Sequence, residues 1–470
     1  MRPPLELLSP VQMGLADQRA AALGWPVAAL MENAGRAVAR AIQARIRPCR
    51  TLALCGPGNN GGDAVVAARH LQRAGWPVAV AALSTLAVAW DGVTVPWSVA
   101  EVARAGLVLD GVFGAGLTRD LTPEVADLLR AARRLVAVDV PSGLDGATGQ
   151  VRGYAPQAEF TVTFFRRKPG HLLLPGRELC GELVLAQIGL PEAALAAIGV
   201  DTFHNLPGLW RVPTPQAAGH KYSRGHVTVL GGPAMIGAAR LAAMAVRRGG
   251  AGLLTIAAGS AAAAYRSGEP GDIVTDAPLA TLLRDPRREV WVCGPGLGAH
   301  DAEAALPALL AAGRRVVVDA DALTICAGTP ERLRGACVLT PHAGEFERVF
   351  GPVGIDKCAA VRAAAALTGA VVVVKGADTV IAAPDGRAAI NDSAPPWLAT
   401  AGAGDVLAGL IAALLAQGMP PWEAACAGVW LHGRAAVHGG MPLIAEDLIP
   451  ALPQAFADAR AADPPYTSSV

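Results

Sequence analysis

Residues 400–405 read Thr-Ala-Gly-Ala-Gly-Asp and precede a long uncharged stretch, 406–417, with the composition of a buried helix. A glycine-rich turn that opens a helix directs free backbone N–H groups and the positive end of the helix dipole at one point, which suits a phosphate group. A carboxylate at that point would repel a bound phosphate. Asp405 is therefore interpreted as a general base that deprotonates a hydroxyl group attacking the phosphate. The alternative is that Asp405 only caps its helix.

A second glycine-rich turn lies in the first half of the chain. Residues 56–63, Gly-Pro-Gly-Asn-Asn-Gly-Gly-Asp, follow an apolar strand pattern and precede a helix pattern. The spacing of Gly56, Gly58 and Gly61 fits the dinucleotide fingerprint, but the acidic residue expected about 20 positions later is absent. Two asparagines and Asp63 instead place polar groups at the helix start. The turn is therefore predicted to hydrogen-bond a polar ligand, with a dinucleotide cofactor site as the alternative.

Polar groups also follow the strands predicted at 107–109 and 135–138. Asp110 ends the first of these strands and is followed by the flexible loop 114–120, while Asp139 ends the second. The carboxyl ends of parallel strands meet at one edge of a sheet, so these groups are expected to converge there. The alternative is that the acids and glycines only form turns.

Three of the converging groups are candidate ligands of a cation. Asn60, Asp110 and Ser142 offer oxygen atoms and no soft ligand. Oxygen-only sites favour a hard cation such as K⁺ over zinc. A weakly held K⁺ ion is therefore expected at this edge of the sheet.

Strand and helix patterns alternate along the whole chain, which predicts α/β domains with mainly parallel sheets. The proline-rich segment 206–215 is predicted as a linker between a first domain, 1–205, and a second domain with a larger sheet, 216–470. One helical stretch is predicted over 10–47 and another over 64–74. The predicted strands are 51–55, 78–82, 107–109, 135–138, 159–165 and 182–188, then 227–230, 252–257, 290–293, 315–318, 337–339, 371–374 and 380–383.

Composition excludes several classes of protein. With 470 residues, 52% of them hydrophobic, the chain is too long for one ordinary core and too apolar for general disorder. Its 40 basic and 39 acidic residues give a net charge of +1, so bulk electrostatics predicts neither nucleic-acid nor membrane-surface binding. The eight cysteines form no C-x-x-C pair and the start lacks a signal-peptide pattern, so a cytoplasmic location is expected. The longest uncharged runs contain Gly or Pro and are predicted to be core segments, so no membrane partner is expected.

The first half resembles a known family in several segments. These are LMENAG, GPGNNGGD, GAGLTRD, DVPSGLDG and TVTFFRRKPGHLLLPGR, and together they resemble the NAD(P)H-hydrate epimerases over nearly all of residues 1–205. The resemblance implies a Rossmann-like three-layer α/β/α domain that interconverts the two epimers of hydrated NADH or NADPH. It also implies that Asn60, Asp110 and Ser142 bind K⁺, and it makes Asp139 the candidate acid/base in ring opening and closure.

The same resemblance implies a set of residues that contact the damaged nucleotide. They are Asn59, Asn60, Gly61, Gly62, Asp63, Gly114, Ala115, Gly116, Leu117, Thr118, Arg119, Asp120 and Asp139. Three arginines, Arg119, Arg166 and Arg167, are candidates for contacting the extra phosphate of the NADPH-derived substrate. The sequence does not decide between the NADH-derived and NADPH-derived forms.

The second half resembles the ADP-dependent NAD(P)H-hydrate dehydratases of the ribokinase-like superfamily. The matching segments are HKYSRGHVTVLGG, GAARLA, GPGLG, VVVDADAL, LTPHAGEF, VVVVKGADT and ATAGAGDVLAG, between Leu209 and Asp463. The resemblance implies a three-layer α/β/α fold with a larger, mostly parallel sheet. It also implies an enzyme that removes water from the S epimer of the hydrate, using ADP as co-substrate and releasing AMP and phosphate.

Site residues of the second half are implied in the same way. The substrate would contact Ala239, Gly296, His342 and Asp405, and ADP would contact Lys375, Gly376, Ala377, Asp378, Thr379 and Gly404. Glu345 would orient Mg²⁺ through water, by analogy with kinases of this superfamily. The family often has an Asn-Pro-Gly-Met-type sequence before the glycine-rich turn, whereas this chain has Ala394-Pro395-Pro396-Trp397-Leu398, a stiffer and bulkier loop.

Two other functions stay open at this stage. The first is a ribokinase-like kinase that phosphorylates a vitamin precursor, which would leave a stable phosphorylated product. The second makes the first half a non-catalytic nucleotide-binding module. A P-loop kinase is excluded because no GxxxxGK[ST] segment occurs. A homo-oligomer is expected in either case.

Overall fold

Strands and helices alternate along the chain, as the sequence predicts. The computed structural model describes residues 4–462, so the outer ends of both predicted domains lie outside the described residues. Contacts divide the chain into two units, and the division falls between Thr202 and Phe203. Each unit has its own parallel sheet with helices on both faces, which confirms the predicted α/β fold class.

The first unit contains strands β1–β8 and helices α1–α6. The strands are β1 (Glu6–Leu7), β2 (Thr51–Cys55), β3 (Val78–Ala82), β4 (Val93–Thr94), β5 (Leu107–Gly111), β6 (Leu135–Val138), β7 (Phe160–Phe164) and β8 (Glu182–Ala186). The helices are α1 (Pro10–Ala22), α2 (Val27–Arg45), α3 (Asn59–Arg73), α4 (Val99–Arg104), α5 (Pro123–Arg130) and α6 (Gly176–Leu179).

The sheet of this unit has seven strands in the order β4-β3-β2-β5-β6-β7-β8. Neighbouring strands of this sheet all pair in parallel. One hydrophobic core joins the sheet to α1, α2 and α3, and another joins its opposite face to α4 and α5. The carboxyl ends of β2, β5 and β6 therefore open at the same edge, where the polar turns were expected to meet.

Two helix boundaries differ from the prediction. The stretch 10–47 is two helices, because Gly24 adopts a left-handed φ of 88° and Pro26, which has no N–H to donate, precedes α2. Helix α3 begins at Asn59, earlier than predicted, so the Asn-Asn-Gly-Gly-Asp segment forms its first turns. Its small glycines permit this: an added Cβ on Gly61 would lie 1.9 Å from the carbonyl oxygen of Gly56.

The second unit contains strands β9–β18 and helices α7–α16. The strands are β9 (Thr202–His204), β10 (His226–Leu230), β11 (Leu253–Ala257), β12 (Ile273–Thr275), β13 (Val290–Cys293), β14 (Arg315–Val318), β15 (Val338–Leu339), β16 (Val371–Val374), β17 (Thr379–Ala382) and β18 (Ala388–Asn391). The helices are α7 (Ile236–Arg248), α8 (Ala262–Tyr265), α9 (Leu279–Leu282), α10 (Ala299–Ala311), α11 (Ala320–Thr324), α12 (Ala343–Phe350), α13 (Lys357–Thr368), α14 (Ala403–Ala416), α15 (Pro421–Gly439) and α16 (Ala445–Ala462).

Its sheet is larger, with the strand order β9-β18-β17-β16-β15-β14-β13-β10-β11-β12. The pairings from β12 to β16 are parallel, and β17 and β18 continue the sheet as antiparallel strands. The sequence analysis missed the strand at Ala388–Asn391. Helix α14 confirms the predicted buried helix, since every residue from Val406 to Leu415 is buried.

The predicted linker, 206–215, is not a free connection. Trp210 is only 3% exposed and packs against Trp430, with ring centroids 5.5 Å apart. Its indole Nε1 donates to Asn205 Oδ1 at 2.8 Å. The prolines therefore end regular structure without detaching the segment from the second unit.

The longest uncharged runs were expected to be core segments and not membrane spans. Between residues 4 and 462, no helix has both the length and the apolar character that a membrane span requires.

Candidate active sites

The first unit contains a cavity of about 660 Å³ at the carboxyl edge of its sheet. Side chains from the start of α3, the loop after β5, the end of β6 and the start of α1 line it. Of the predicted contact residues, those that line the cavity are Asn59, Asn60, Asp63, Gly114, Ala115, Gly116, Leu117, Thr118, Arg119 and Asp139. Gly61, Gly62 and Asp120 do not line it.

Asp139 is the most heavily hydrogen-bonded acid of this cavity. Its Oδ1 accepts from Lys168 Nζ at 2.6 Å and from Thr163 Oγ1 at 2.9 Å, and its Oδ2 accepts from the Ala115 N–H at 3.1 Å. Burial opposes ionisation of this carboxyl, but the charges of Lys168 and His171 and these hydrogen bonds lower its pKa to about 2. Asp139 is therefore a permanently ionised group whose oxygens are already occupied by protein donors.

Two other acids of the cavity have the opposite character. Asp17 of α1 and Asp63 of α3 both line it, and neither carboxyl has a hydrogen-bond or ion-pair partner within residues 4–462. Burial raises the pKa of Asp17 to about 6, with repulsion from Asp139 adding to the shift. Burial, followed by repulsion from Asp139 and Asp17, raises the pKa of Asp63 well above its ordinary value.

The predicted cation ligands lie together. Asp110 is fully buried, and Ser142 contributes both its N–H (2.8 Å) and its hydroxyl (2.6 Å) to the two carboxylate oxygens. Burial raises the pKa of Asp110 to about 6 despite these hydrogen bonds, and no cationic side chain pairs with it within residues 4–462. The buried amide nitrogen of Asn60 also has no partner. A buried carboxylate that has no cationic partner among the described residues and lies beside the Ser142 hydroxyl suits a monovalent cation.

Sequence analysis missed three contributors to this cavity. Lys168 lies within a quoted motif but was given no role, and Asp17 and Phe164 were not singled out. The sequence signal for Lys168 was weak, because its neighbours Arg166 and Arg167 carry the same charge. Arg166 itself is buried at 3% exposure between Glu6 and Glu192 and does not line the cavity, so it does not serve as a phosphate contact.

The second unit brings Asp405 to a glycine-lined helix start. Gly402 precedes α14 with a left-handed φ of 85°, and Asp405 lies in the first turn of that helix. An added Cβ on Gly404 would lie 3.3 Å from Lys375 Nζ, so the turn and this ammonium group are close neighbours. Burial and then repulsion from Asp319 raise the pKa of Asp405 to about 6, although Lys375 opposes the shift.

Lys375 is paired with Asp319, which the sequence analysis did not assign, and lies near Glu345, which it did. Its Nζ donates to Asp319 Oδ1 at 2.8 Å and lies 3.8 Å from Glu345 Oε2. Burial opposes the ammonium charge, but Asp319, Glu345 and Asp405 outweigh burial and raise its pKa above the ordinary value. Asp319 follows β14 in the VVVDADAL segment, and the signal for it was its place at a strand end.

The loop after β16 is closed on itself. The Gly376 N–H donates to Thr379 Oγ1 at 3.1 Å, and that hydroxyl donates to the Gly376 carbonyl at 2.8 Å. Lys357 of α13 donates to the carboxylate of Asp378 at 2.7 Å and to its carbonyl at 2.8 Å. Gly376 and Ala377 are exposed, so the predicted ADP-binding segment is a fixed loop at the surface of the second unit.

His342 and Glu345 form a capping box at the start of α12. Glu345 Oε2 accepts from the His342 N–H at 2.8 Å, and His342 Nδ1 accepts from the Gly344 N–H at 3.0 Å. The imidazole side chain is 54% exposed, and Glu345 is 8% exposed. His342 is therefore available to a ligand, whereas Glu345 faces Lys375.

Two predicted substrate contacts have mainly structural positions. Ala239 is fully buried within the hydrophobic core at the second unit's helix α7, and its contact with substrate stays a prediction. Gly296 has a left-handed φ of 62°, and a Cβ there would lie 2.1 Å from the Met235 carbonyl oxygen. The neighbouring Gly298 N–H donates to Asp321 Oδ2 at 2.8 Å, which ties this loop to the segment after β14.

The unusual loop before the glycine-rich turn is anchored rather than open. Pro396–Leu398 form a short 3₁₀ turn, and the Trp397 indole donates to the Ala436 carbonyl of α15 at 3.0 Å. The turn at Gly402–Asp405 keeps its helix-start geometry behind this loop.

Side chains that could ligate a metal are not clustered within residues 4–462. Among residues 4–462, no group of three or more His, Cys, Asp or Glu side chains is arranged to hold a metal ion. The eight cysteines are all free thiols.

Comparison with known proteins gives matches to both halves. Residues 27–170 match the family model of the YjeF-related protein N-terminus, and residues 227–439 match that of NAD(P)H-hydrate dehydratase. A bifunctional NAD(P)H-hydrate repair enzyme from Pyrobaculum aerophilum is 37% identical, over 96% of this chain and 98% of the relative. One from Mycobacterium tuberculosis (strain ATCC 25618 / H37Rv) is 40% identical over 80% of each chain.

Solved structures resemble the second half. The ADP/ATP-dependent NAD(P)H-hydrate dehydratase from Bacillus subtilis, co-crystallized with ATP/Mg²⁺, is 30% identical, covers 53% of this chain and 95% of its own, and has a TM-score of 0.48. The similarity to the curated relatives extends over both units, at more than a third identity and nearly full length for the first of them. The chain belongs to the family of bifunctional NAD(P)H-hydrate repair enzymes.

Proposed function

We propose that this chain repairs hydrated NADH and NADPH in two steps. The first unit interconverts the R and S epimers, and the second removes water from the S epimer with ADP, giving AMP and phosphate. The observation that carries the second step is the placement of Asp405. Its carboxyl group, with a pKa of about 6, lies in the first turn of α14, and the glycine-lined start of that helix faces Lys375.

The dehydration needs a better leaving group than hydroxide. The substrate hydroxyl is on C6 of the reduced ring, next to the ring nitrogen, and phosphate leaves far more readily than hydroxide. Asp405 takes the proton from this hydroxyl as the oxygen attacks the β-phosphate of ADP, and the bond from that phosphorus to the α,β-bridging oxygen breaks to release AMP. The nitrogen lone pair then expels the C6 phosphate, and loss of a proton from C5 restores the dihydropyridine. Backbone N–H groups of the glycine-lined turn and the Lys375 ammonium stabilise the charge on the transferred group.

The acids of this site support a role for Mg²⁺ with ADP. The charges of Asp319, Asp321 and Glu345 add to the raised pKa of Asp405, whereas the ammonium of Lys375 opposes that shift. An excess of carboxylates beside a polyphosphate requires a cation, and Mg²⁺ supplies charge neutralisation to phosphate oxygens. Glu345 would hold it through water, consistent with few direct protein ligands.

We propose that the cavity of the first unit is the epimerase site. Asn59, Asn60 and Thr118 present polar groups to the substrate, while Leu30, Met31 and Phe164 supply an apolar wall for the ring. Asn60, Asp110 and Ser142 would hold K⁺, since the buried Asp110 has no cationic side chain beside it within residues 4–462. A K⁺ ion held there would compensate that buried charge and would fix the loop after β5.

An assay of both epimers tests the two steps together. Purified protein is incubated with a mixture of R and S hydrates and ADP, and the absorbance of the reduced nicotinamide is followed. Full recovery of the absorbance is expected, with AMP and inorganic phosphate formed in equal amounts. Recovery of only the S share would contradict an active first unit.

The kinase alternative gives a different set of products. An ordinary kinase would prefer ATP and leave a stable phosphorylated product with no inorganic phosphate. Product analysis by phosphorus NMR separates the two outcomes, and a phosphorylated product that accumulates without recovery of the absorbance would overturn the dehydratase proposal.

A further inference from the structure

The hydrogen bonds of Asp139 make it a poor candidate for the general base of the first cavity. Lys168, Thr163 and the Ala115 N–H together occupy both oxygens of Asp139. A general base must present a free lone pair to the proton that it takes, with a basicity near the working pH. Asp139 already accepts three hydrogen bonds, and its pKa of about 2 leaves it little basicity near neutral pH, so it is better suited to anchor Lys168 than to take a proton.

Asp17 has the free oxygens that Asp139 lacks. It projects from α1 into the cavity, and within residues 4–462 no hydrogen bond or ion pair reaches its carboxyl group. It is half-buried and close enough to Lys168 and Asp139 for both charges to affect it. The other charged or titratable side chains that line the cavity are Lys168, Asp139, Asp63 and Arg119.

The helix that carries Asp17 is positioned by its opposite face. Ala16 and Ala20 are buried in the core, and Ser9 and Gln12 form a capping box that fixes the helix start. Met13 and Gly14 line the cavity beside Asp17. The α1 segment therefore forms one wall of the site, although no segment of α1 was among the motifs that predicted function.

We infer that Asp17 is a catalytic residue of the epimerisation, the group that carries the proton between the C6 hydroxyl and the ring nitrogen. This inference rests on the proposal that the cavity is the epimerase site. Asp139 then has a different task, which is to hold the Lys168 ammonium at the cavity wall.

The step balances with a single proton carrier. The Asp17 carboxylate takes the hydroxyl proton, the O–H electron pair forms the C6 carbonyl, and the N1–C6 bond breaks with its electrons moving to N1. Asp17 returns the proton to N1, which leaves a ring-opened aldehyde and an N–H enamine conjugated to the carboxamide. Rotation about the C5–C6 bond presents the other carbonyl face. N1 then attacks C6, Asp17 takes the N–H proton, and the alkoxide recovers it as the inverted hydroxyl.

The test compares Asp17→Asn with Asp139→Asn in the full-length protein. The rate of R-to-S conversion is measured from a single epimer by chiral separation, and dehydration of pure S epimer by the same preparation reports on the second unit. We expect Asp17→Asn to lower kcat for epimerisation by roughly 10²–10⁴-fold, with KM changed less than about threefold and dehydration unchanged. Asp127→Asn, an exposed acid on α5, is the matched control and should be indistinguishable from wild type.

The pH profile separates catalysis from a structural role. The wild-type epimerisation rate should fall as the pH drops below about 6, because the ionised form of Asp17 is the active one. Asp17→Asn should lose this acidic limb, and Asp17→Glu, which retains a carboxylate, should keep it. If Asp17→Asn disrupts the first unit, Asp17→Glu still decides the matter, since a folded Asp17→Glu protein with a flat profile overturns the inference.

The remaining outcomes distinguish this inference from the proposed site. If Asp17→Asn epimerises at the wild-type rate while Asp139→Asn is inactive, the cavity is the site and the inference about Asp17 is overturned. If neither substitution affects epimerisation, the cavity itself is not the site. A rise in KM with unchanged kcat in Asp17→Asn would make Asp17 a binding residue and would also overturn the inference.

Discussion

The two units each contain a buried lysine–aspartate pair at the carboxyl edge of a parallel sheet, and the pairs are used differently. In the first unit, Lys168 is 2% exposed and its partner Asp139 accepts two further hydrogen bonds. In the second unit, Lys375 is 20% exposed, and its ammonium also lies near Glu345 and the turn before Asp405. Lys168 is therefore buried against Asp139, whereas the Lys375 ammonium is partly exposed and also faces the proposed ADP-binding turn.

In both units, the proposed proton-transfer group lies beside the lysine–aspartate pair and is not a member of it. The acid inside each pair accepts a hydrogen bond from its lysine, and in the first unit the charge of Lys168 helps to lower the pKa of Asp139 to about 2. Within residues 4–462, the acid beside each pair, Asp17 in the first unit and Asp405 in the second, has no hydrogen-bond or ion-pair partner, and burial raises its pKa to about 6. Both sites thus combine a fixed charge with a neighbouring group that titrates near neutral pH.

Asp405→Asn should give the largest effect. The amide cannot accept a proton, so we expect a loss of dehydratase kcat of roughly 10²–10⁴-fold, with ADP affinity nearly unchanged. Turnover of pure S epimer and titration calorimetry with ADP measure the two quantities. The epimerase activity of the same variant is its internal control, and retention of more than a tenth of the dehydratase rate would show that Asp405 is not the base.

Lys168→Met should destabilise the first unit more than Lys357→Met destabilises the second. Removing Lys168 leaves Asp139 as a buried uncompensated charge, which typically costs about 3–5 kcal/mol. Lys357 is 19% exposed, so water replaces part of its interaction with Asp378. Chemical denaturation followed by circular dichroism measures both variants. Equal losses of stability would mean that the Lys168 pair is less enclosed than its 2% exposure indicates.

Gly61→Ala and Gly58→Ala test the helix start of the first site. A Cβ at Gly61 would meet the Gly56 carbonyl oxygen at 1.9 Å, whereas a Cβ at Gly58 has no neighbour within 4 Å. Overpacking of this kind costs about 1–3 kcal/mol, so Gly61→Ala should lower the denaturation midpoint and the epimerase rate together. Gly58→Ala should leave the midpoint unchanged, and an equal loss in both would mean that the glycines act through flexibility rather than close contact.

Asp405→Asn should also stabilise the second unit slightly. The folded-state pKa of Asp405 is raised to about 6 from 3.8, so ionisation costs stability as the pH rises from about 4 to 6, and the cost persists above that range. The substitution removes this cost and should raise the thermal midpoint at pH 7 by about 2–4 °C for each kcal/mol regained. The gain should vanish near pH 4, where the wild-type carboxyl is protonated, and a gain independent of pH would point to a different cause.

The sequence predicted the parts of both sites that depend on local patterns. Glycine-rich turns that open a helix predicted the roles of Asn60 and Asp405 as site residues. The ends of predicted strands did the same for Asp110 and Asp139. Asp319 and Lys168 were not assigned because their importance arises from partners 56 and 29 positions away. Asp17 was missed for the same reason, since only the folding of α1 against the sheet brings it into the cavity.

Boundary errors also have physical causes. The single helix predicted over 10–47 ignored the break that Gly24 and Pro26 impose. The late start predicted for α3 treated its glycines as loop formers, although they allow the helix to begin against the strand end.

The break between α1 and α2 is a place where the first activity can be lost without loss of the second. Trp25 and Val27 are exposed there, and α1 contributes only Ala16 and Ala20 as fully buried residues. Helix α14, by contrast, is buried from Val406 to Leu415, so we expect its glycine-lined first turn to persist until the second unit as a whole unfolds. A protease that cuts the chain near Trp25 would therefore silence epimer exchange and leave a working dehydratase, turning a repair enzyme for both epimers into one that is selective for the S form.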